Sequence, residues 1–426
     1  MCAATRATGT TAAPGRTSSS RTSAPADPSP VARSARTTST ATARRPTARR
    51  ARRSCRRRRC SSASTRPTRP RPEPSSVSSF DPNGPAPDDA GIFGLPTTEA
   101  EAALVLLPVP WEATTSYGGG TAEGPAAILR ASHQVDLFDL DVEKPYEAGI
   151  FMLAEAEVLR EDNARAKERA QRIIQNYGKL PESEARELLG EVEALGEKMN
   201  ALVRGETLRL LAQGKLVGVV GGDHSVPLGA IEAVASRTPK LGVLHFDAHS
   251  DTRDAYEGFR YSHASIMRNV CDRVPQVSRL VQVGIRDFCE EEMDYIRAQG
   301  DRMAVFFDRD LQNRKFRGDS WANVTRDIIA KLPEHVWVSF DIDGLDPRFC
   351  PHTGTPVPGG LDFSEAVFLL RELVRQGRTI VGFDLNEVAP NLADSGDEWD
   401  GNVAARLLYK LCAFTLASNG KATLRD

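Results

Sequence analysis

Short, almost uniformly apolar runs that alternate with helical patterns are the feature that most restricts how this chain can fold. Such runs are typical of strands that are buried on both faces of a parallel sheet, where neither side of the strand meets water. They occupy residues 103–110, 215–222, 241–249, 279–287, 303–308, 335–343 and 379–387. We therefore predict an α/β fold, with three α/β/α layers around a mainly parallel sheet.

Helical patterns fill several of the intervals between these runs. The predicted helices span residues 227–236, 364–377 and 401–417. We expect Ser364 to be the N-cap of the second helix, because a serine at that position satisfies free backbone N–H groups. Residues 154–213 break the alternation with a stretch rich in Glu, Lys and Arg, interrupted near 178–181. We interpret this stretch as a helical insertion in a single domain over 81–426.

The first 80 residues differ from the rest in composition. Their 18 Arg, no Lys and two acidic residues give a formal charge of +16, whereas the remaining 37 basic and 55 acidic residues give −18. Ser, Thr, Ala and Pro dominate this segment, so apolar burial cannot offset its ordering entropy, and we predict that residues 1–80 are disordered. The composition fits a transit peptide, a nucleic-acid-binding tail or a misplaced translation start.

The sequence also bears on location. No stretch approaches the roughly 18 consecutive apolar residues of a membrane helix, and the cysteines are scattered without paired spacing, as in reducing compartments. We expect a cytoplasmic protein without a membrane partner, and organelle targeting by the N-terminal segment is the alternative. Nucleic acid is the least expected use of that segment.

Polar residues follow three of the predicted strands, where a buried sheet would otherwise not tolerate them. In open α/β sheets ligands bind at the carboxyl ends of strands, and alternate residues of an extended segment share a side. We therefore expect two histidines and four aspartates to converge as metal ligands: His224, Asp247, His249, Asp251, Asp341 and Asp343. Asp223 and Asp346 are left out, because either one can cap or brace a turn.

This donor set suits divalent ions of hard to borderline character. Six donors are too many for one ion, and four carboxylates packed together need compensating positive charge. We predict two divalent ions per subunit, with Mn²⁺ as the expected metal and Ni²⁺ as the alternative. Each residue taken singly is more simply explained as a helix cap or a buried core residue, but six together are not.

The motifs GGDHS, FDAHSD and SFDIDGLDP, in that order, resemble the signature segments of the ureohydrolases, the family of arginase and agmatinase. The resemblance covers about residues 100–420 and includes TGTPVPGG at 353–360 and the NEVAP segment. It implies that Asp247 and Asp341 bridge the two ions. The other ligands would be His224 and Asp251 for one ion, and His249 and Asp343 for the other. It also implies a homo-oligomer, a trimer or a hexamer.

The same resemblance implies the reaction. Two neighbouring divalent ions would lower the pKa of a shared water towards about 7, giving a nucleophile for a guanidinium carbon and releasing urea with an amine or ammonia. We expect Asp247, His263 and Glu387 to be catalytic. Glu387 matches the family's glutamate that pairs with the guanidinium; a buried glutamate paired with an arginine is the alternative. His263 resembles the family's proton-relay histidine, although its YSHAS context departs from the usual HG motif.

The substrate is less constrained than the reaction. Tyr117 and Thr121, in the glycine-rich stretch after the first strand, are candidates for substrate contact, and an ordinary turn is the alternative. The substrate is expected to be a small cationic guanidino compound. The motifs resemble agmatinase-like members and a branch that includes guanidine hydrolases. Arginase, formimidoylglutamase and guanidinobutyrase activities are further alternatives, and a non-catalytic metal-binding protein is an alternative of another class.

Overall fold

The computed structural model describes residues 80–87 and 90–425. The segment predicted to be disordered, 1–80, lies outside the described residues except for Phe80. The strands of the described part are β1 Leu104–Val109, β2 Val142–Glu143, β3 Ile150–Met152, β4 Leu216–Gly221, β5 Leu241–Phe246, β6 Val277–Ile285, β7 Met303–Phe307, β8 His335–Asp341, β9 Thr379–Asn386 and β10 Thr423–Leu424. The α-helices there are α1 Gly124–Ser132, α2 Glu157–Gln175, α3 Glu182–Ala212, α4 Leu228–Ala235, α5 Ile266–Arg273, α6 Glu290–Gln299, α7 Asp308–Phe316, α8 Trp321–Ile329, α9 Phe363–Arg375 and α10 Trp399–Ser418.

Eight strands form one sheet in the order β3-β1-β4-β9-β8-β5-β6-β7. Every neighbouring pair in it is parallel. The remaining strands, β2 and β10, form a separate antiparallel pair. Each of the seven predicted apolar runs overlaps one strand of the large sheet, although β6 begins two residues before its run, so the prediction of a mainly parallel sheet is confirmed. At several ends the predicted runs extend one to three residues beyond the strands.

Both faces of the sheet are covered by helices. Along β5, Leu244 and Phe246 belong to one apolar cluster, which also contains residues of α1, α9 and α10. Leu241 and Val243 alternate with them and belong to a second cluster, with residues of α3, α4 and α5. Alternate side chains of one strand therefore point into different helical layers, and the three-layer arrangement is confirmed. Among residues 80–87 and 90–425, no helix is long and apolar enough to cross a membrane.

The charged stretch 154–213 forms the two helices α2 and α3, with a break at Gly178, whose φ is +68°. The predicted helical insertion is thus confirmed. Ala170 and Ile173 of α2 pack with Val192 of α3 and with Phe259, which lies in the loop between β5 and α5. The insertion is therefore anchored to a loop at the carboxyl edge of the sheet.

The predicted N-cap at Ser364 is wrong. Helix α9 begins one residue earlier, at Phe363, and Asp362 is its N-cap. The Asp362 carboxylate accepts the Ser364 N–H at 2.9 Å, and the Glu365 carboxylate accepts the Asp362 N–H at 3.1 Å. A reciprocal capping box satisfies two free donors at once, so the aspartate three residues before a glutamate takes precedence over the serine.

Candidate metal centre

The predicted metal ligands meet at one edge of the sheet. In the strand order β4-β9-β8-β5, four neighbouring strands are parallel, so their carboxyl ends lie side by side. Asp247 follows β5 directly, Asp341 is the last residue of β8, and Glu387 follows β9. His224 lies in the turn after β4. Residues that are far apart in sequence are thereby brought to one place.

Three of the predicted ligands surround the ring of a fourth, His224. Its Nδ1 lies 3.1 Å from Asp247 Oδ2, 3.3 Å from Asp251 Oδ2 and 3.2 Å from Asp341 Oδ2. All four side chains are buried. They form the set expected for one ion.

A second group forms around His249. Its Nδ1 lies 3.1 Å from Asp343 Oδ2 and 3.4 Å from Asp247 Oδ1. Asp247 thus presents one oxygen to each histidine, as a bridging carboxylate must. Asp341 presents its Oδ2 to the first group, whereas its Oδ1 accepts the backbone N–H of Asp343 at 2.8 Å, as Asp247 Oδ1 accepts that of His249 at 2.6 Å.

The chemistry of this cluster fits divalent cations. Burial, followed by the charge of Asp247, raises the pKa of Asp251 to about 8. Burial and the neighbouring carboxylates of Asp343 and Asp247 raise the pKa of Asp341 well above its usual range. Oδ2 of Asp343 is buried with no hydrogen-bond donor among the described residues. Crowded carboxylates with a free buried oxygen are stabilised by positive charge placed between them.

A row of buried polar residues lies beneath the ligands, in the middle of the sheet. Gln282 of β6, His245 of β5, Ser339 of β8 and Asp384 of β9 are register neighbours across four strands. None of the four is exposed to solvent. These four residues were not predicted from the sequence, although each is a polar residue inside an apolar run, and that pattern is a signal by which they could have been found.

One end of this polar row orients His224. Its Nε2 lies 2.9 Å from Ser339 Oγ, and Ser339 Oγ donates to Asp384 Oδ1 at 2.8 Å. Since the serine hydroxyl is committed to Asp384, the imidazole must donate from Nε2. Nδ1 then faces the carboxylate cluster and can bind an ion once it is deprotonated. Such outer partners fix the tautomer and the ring orientation of metal-binding histidines.

The other end of the row supports Asp247. His245 Nε2 lies 2.8 Å from Asp247 Oδ2, and Gln282 Nε2 donates to His245 Nδ1 at 2.9 Å. With Nδ1 accepting, the proton of the neutral ring is on Nε2, so His245 donates to Asp247. Burial lowers the pKa of His245, which favours this neutral form. We therefore interpret His245 as a support for the Asp247 carboxylate and not as a ligand.

Two of the site residues have left-handed backbone conformations. Asp251 has a φ of +56° and Glu387 a φ of +62°, values that non-glycine residues rarely adopt. Backbone hydrogen bonds hold both: the N–H of Met267 donates to the Asp251 carbonyl at 3.0 Å, and the N–H of Glu387 donates to the Gly222 carbonyl at 2.8 Å. Such strain costs about 1–3 kcal/mol and clusters at functional sites, where it redirects side chains.

Glu387 presents a carboxylate without a cationic partner. Its Oε1 accepts the backbone N–H of His224 at 2.9 Å. No lysine or arginine in residues 80–87 and 90–425 forms an ion pair with it, contrary to the alternative reading as a buried, arginine-paired glutamate. Burial, and then the nearby Asp223, raise the pKa of Glu387 well above its usual range. A cation placed beside it would offset both effects.

His263, Tyr117 and Thr121 are the remaining predicted residues. His263 begins a short 3-10 helix and packs edge-on against Tyr256, with ring centroids 5.8 Å apart. Burial, and then the charge of His249, lower the pKa of His263 to about 4, so the ring is neutral at pH 7. Tyr117 is 86% exposed, whereas Thr121 is fully buried and its hydroxyl donates to Glu112 Oε2 at 3.3 Å. The roles of all three in catalysis or substrate binding stay predictions.

The chain is similar to known proteins over most of its length. The family model described as "Arginase family" matches residues 102–413. The N(1)-aminopropylagmatine ureohydrolase of Synechocystis sp. is 32% identical over 322 residues, which are 75% of this chain and 90% of the relative. The agmatinase of Pyrococcus horikoshii is 30% identical over 319 residues, 74% of this chain and 93% of the relative. The solved structure of proclavaminate amidino hydrolase from Streptomyces clavuligerus matches with a TM-score of 0.60 at 26% identity, covering 79% of this chain and 100% of that one.

Proposed function

The chain belongs to the arginase family, and from this premise we propose that it hydrolyses a small cationic guanidino compound of the agmatine class to urea and an amine. It is a hydrolase of amidino C–N bonds, as its relatives are named. The main support for the proposal is the environment of the Glu387 carboxylate. It is 6% exposed, has no cationic partner among the described residues, and receives the backbone N–H of a predicted metal ligand.

The proposed ligand set is the one predicted from the sequence. His224, Asp247, Asp251 and Asp341 would hold one ion, and Asp247, His249, Asp341 and Asp343 the other. We propose Mn²⁺, with Ni²⁺ as the alternative, because both accept imidazole and carboxylate donors. When bound, the two ions would neutralise the carboxylates and lower the pKa of water at the site.

The chain's own residues would bind the substrate and move protons. Glu387 would accept N–H groups of the guanidinium, and the cation would lower the pKa of this carboxyl and keep it ionised. The His224 N–H holds Glu387 Oε1 in place at 2.9 Å. Neutral His263 would pass a proton towards the departing amine, since an imidazole can take and return a proton near neutral pH.

The proposed substrate class follows the relatives, which are named for agmatine and for an aminopropyl derivative of agmatine. Free guanidine is a second candidate, because the space beside Glu387 is tightly lined. The backbone of Gly118 packs on Gly354, and a Cβ placed on Gly354 would lie 3.3 Å from Glu387 Oε2. Tyr117 and Thr121 stay weaker candidates for contact with the rest of the substrate. We also propose that the enzyme works as a cytoplasmic homo-oligomer with residues 81–426 as its catalytic domain.

The test is urea release from agmatine, arginine, guanidinobutyrate and guanidine after loading with Mn²⁺ or Ni²⁺. Agmatine or guanidine should give the highest kcat/KM. Asp247→Asn and Asp341→Asn should each lose turnover together with bound metal. Glu387→Gln should keep its metal and lose about 100-fold in kcat/KM, since it leaves the guanidinium without a counter-charge.

Two results would refute the proposal. One is the absence of urea from every substrate by protein that metal analysis shows to be loaded. The other is full activity in Asp247→Asn or Asp341→Asn, which would exclude a site with shared carboxylates.

A further inference from the structure

One face of helix α2, in the helical insertion, contacts the chain that follows β1. Asn163, Lys167 and Gln171 recur every four residues and so share a side of the helix. Asn163 Oδ1 accepts the N–H of Glu112 at 2.8 Å, Lys167 Nζ donates to Glu112 Oε1, and Gln171 Nε2 donates to the Thr115 carbonyl at 2.9 Å. The insertion thus holds two points of this segment, residues 112–121, which we name the glycine loop.

Glu112 is the centre of these contacts. It is 6% exposed, and its Oε2 accepts the N–H of Gly120 at 2.6 Å and the N–H of Ala122 at 3.3 Å. Gly120 has a φ of +113°, so the loop reverses there through a conformation that suits glycine. Burial alone would raise the pKa of Glu112, but the hydrogen bond and charge of Lys167, with these backbone donors, outweigh it and lower the pKa. Lys167 therefore keeps the buried carboxylate of Glu112 ionised at the start of the glycine loop.

The glycine loop reaches the guanidinium site through two glycines. The N–H of Gly118 donates to the Gly354 carbonyl at 3.2 Å, and a Cβ on Gly118 would lie only 2.5 Å from that oxygen. Gly354 itself adjoins the carboxylate of Glu387, as described above. A single residue therefore separates the loop from the carboxylate that is proposed to bind substrate, and a displaced loop would change the wall of this site.

We propose that Lys167 is a positioning residue that, through Glu112, fixes the glycine loop against Gly354 and so sets how tightly the site at Glu387 closes on its substrate. This inference rests on the proposed function. It assigns the helical insertion a part in substrate specificity, in addition to packing. Lys167 contacts none of the proposed metal ligands among the described residues, so its loss should affect substrate affinity more than metal binding.

The first arm of the test needs no substrate. In metal-loaded enzyme, amide hydrogen exchange is followed in a peptide that covers Gly120 and Ala122. Lys167→Met keeps the side-chain length and removes the charge, so exchange there should become about tenfold faster or more. Lys167→Arg should restore slow exchange. The matched control is Arg169→Met, because Arg169 lies on the same helix but pairs with Glu191 of α3.

The second arm measures kinetics with the substrate that gives the most urea. Lys167→Met should raise KM about tenfold, with kcat and bound metal close to those of the wild type, and Arg169→Met should leave KM unchanged. The proposal would be overturned if Lys167→Met and the wild type exchanged at the same rate, or if KM rose equally in Arg169→Met. It would also be overturned if KM in Lys167→Met stayed unchanged despite faster exchange.

If Lys167→Met does not fold, a milder variant tests the same contacts. Asn163→Ala removes one neutral hydrogen bond from the same face and should speed exchange in the same peptide by a smaller factor; no change there would also count against the proposal. If the wild type releases no urea from any substrate, the proposed function fails, while the exchange arm still decides whether Lys167 holds the loop.

Discussion

At the scale of single residues, hydrogen bonds decide which atom of each side chain is free to bind a ligand. His224 can offer Nδ1 to a metal because Nε2 is committed to Ser339 at 2.9 Å. Asp247 Oδ1, in turn, accepts the N–H of His249 at 2.6 Å. This contact holds the carboxylate in the orientation in which its oxygens face both histidines. Residue type alone would not distinguish these atoms.

His263 gives a prediction at this scale. Its pKa in the folded protein is about 4, below the usual value near 6.5, so the unfolded chain binds a proton between these pH values and the native protein does not. Protonation therefore favours unfolding as the pH falls from about 6.5 to about 4. In metal-free protein, the unfolding free energy of the wild type should drop between pH 7 and pH 5 by about 2 kcal/mol more than that of His263→Asn.

Urea denaturation at the two pH values measures this difference. The same pH dependence in both proteins would mean that His263 titrates normally and is not held in a desolvated position. Metal-free protein is required, because loss of ions at acidic pH would otherwise dominate the result.

At the scale of elements, some glycines lie where two backbones approach closely. A Cβ on Gly222 would lie 1.9 Å from the carbonyl oxygen of Trp111, so the turn that carries His224 can be built only with glycine there. Gly229 of α4 faces α3 in the same way, with the Asn200 carbonyl oxygen 2.2 Å from a placed Cβ. Gly190, on the exposed side of α3, has nothing within 4 Å. Packing therefore does not require a glycine at this position.

These glycines predict opposite effects of the same substitution. Gly190→Ala should stabilise the protein by about 0.5–1 kcal/mol, because alanine loses less entropy in a helix and meets no atom. Gly229→Ala should destabilise it by roughly 1–3 kcal/mol through overpacking of α3 against α4. Thermal unfolding of the two variants beside the wild type measures both. A destabilised Gly190→Ala would indicate a contact on that face of α3.

At the scale of the whole molecule, the metal centre links stability to pH. In the metal-free protein, the raised pKa values of Asp251 and Asp341 mean that the native state retains protons at pH values at which the unfolded chain has released them. The neighbouring carboxylates also outweigh burial and raise the pKa of His224 and His249. All four groups therefore stabilise the metal-free fold at lower pH, and their contribution is lost as the pH rises through these values.

Metal binding should therefore release protons. Divalent ions replace protons on ligands that must be deprotonated, so more than about one proton per subunit should be released at pH 7. Calorimetry in buffers of different ionisation enthalpy counts these protons. The gain in Tm on metal loading should also grow from pH 6 to pH 8. Binding without proton release would contradict the raised pKa values.

Much of the site could be predicted from the sequence because its ligands lie in short motifs. Asp247, His249 and Asp251 occur within five consecutive residues at a strand end, so their convergence follows from local geometry. The supporting residues could not be predicted in the same way. Ser339 and Asp384 are single polar residues in apolar runs, and their pairing depends on the register between β8 and β9. The α9 N-cap was misplaced because Ser364 and Asp362 compete locally, and the reciprocal bond with Glu365 decides between them.

The parallel α/β sheet, the helical insertion and the donors at the strand ends could all be predicted from the sequence. Apolar periodicity and motif spacing act over a few residues and do not depend on distant partners. Three features depend instead on tertiary packing: Lys167 contacts Glu112, Gly118 contacts Gly354, and Glu387 has no cationic partner among the described residues. These contacts join segments that are far apart along the chain. Their geometry is set by the order of the strands and by the packing of the helices. Neither can be derived from composition or from motif spacing.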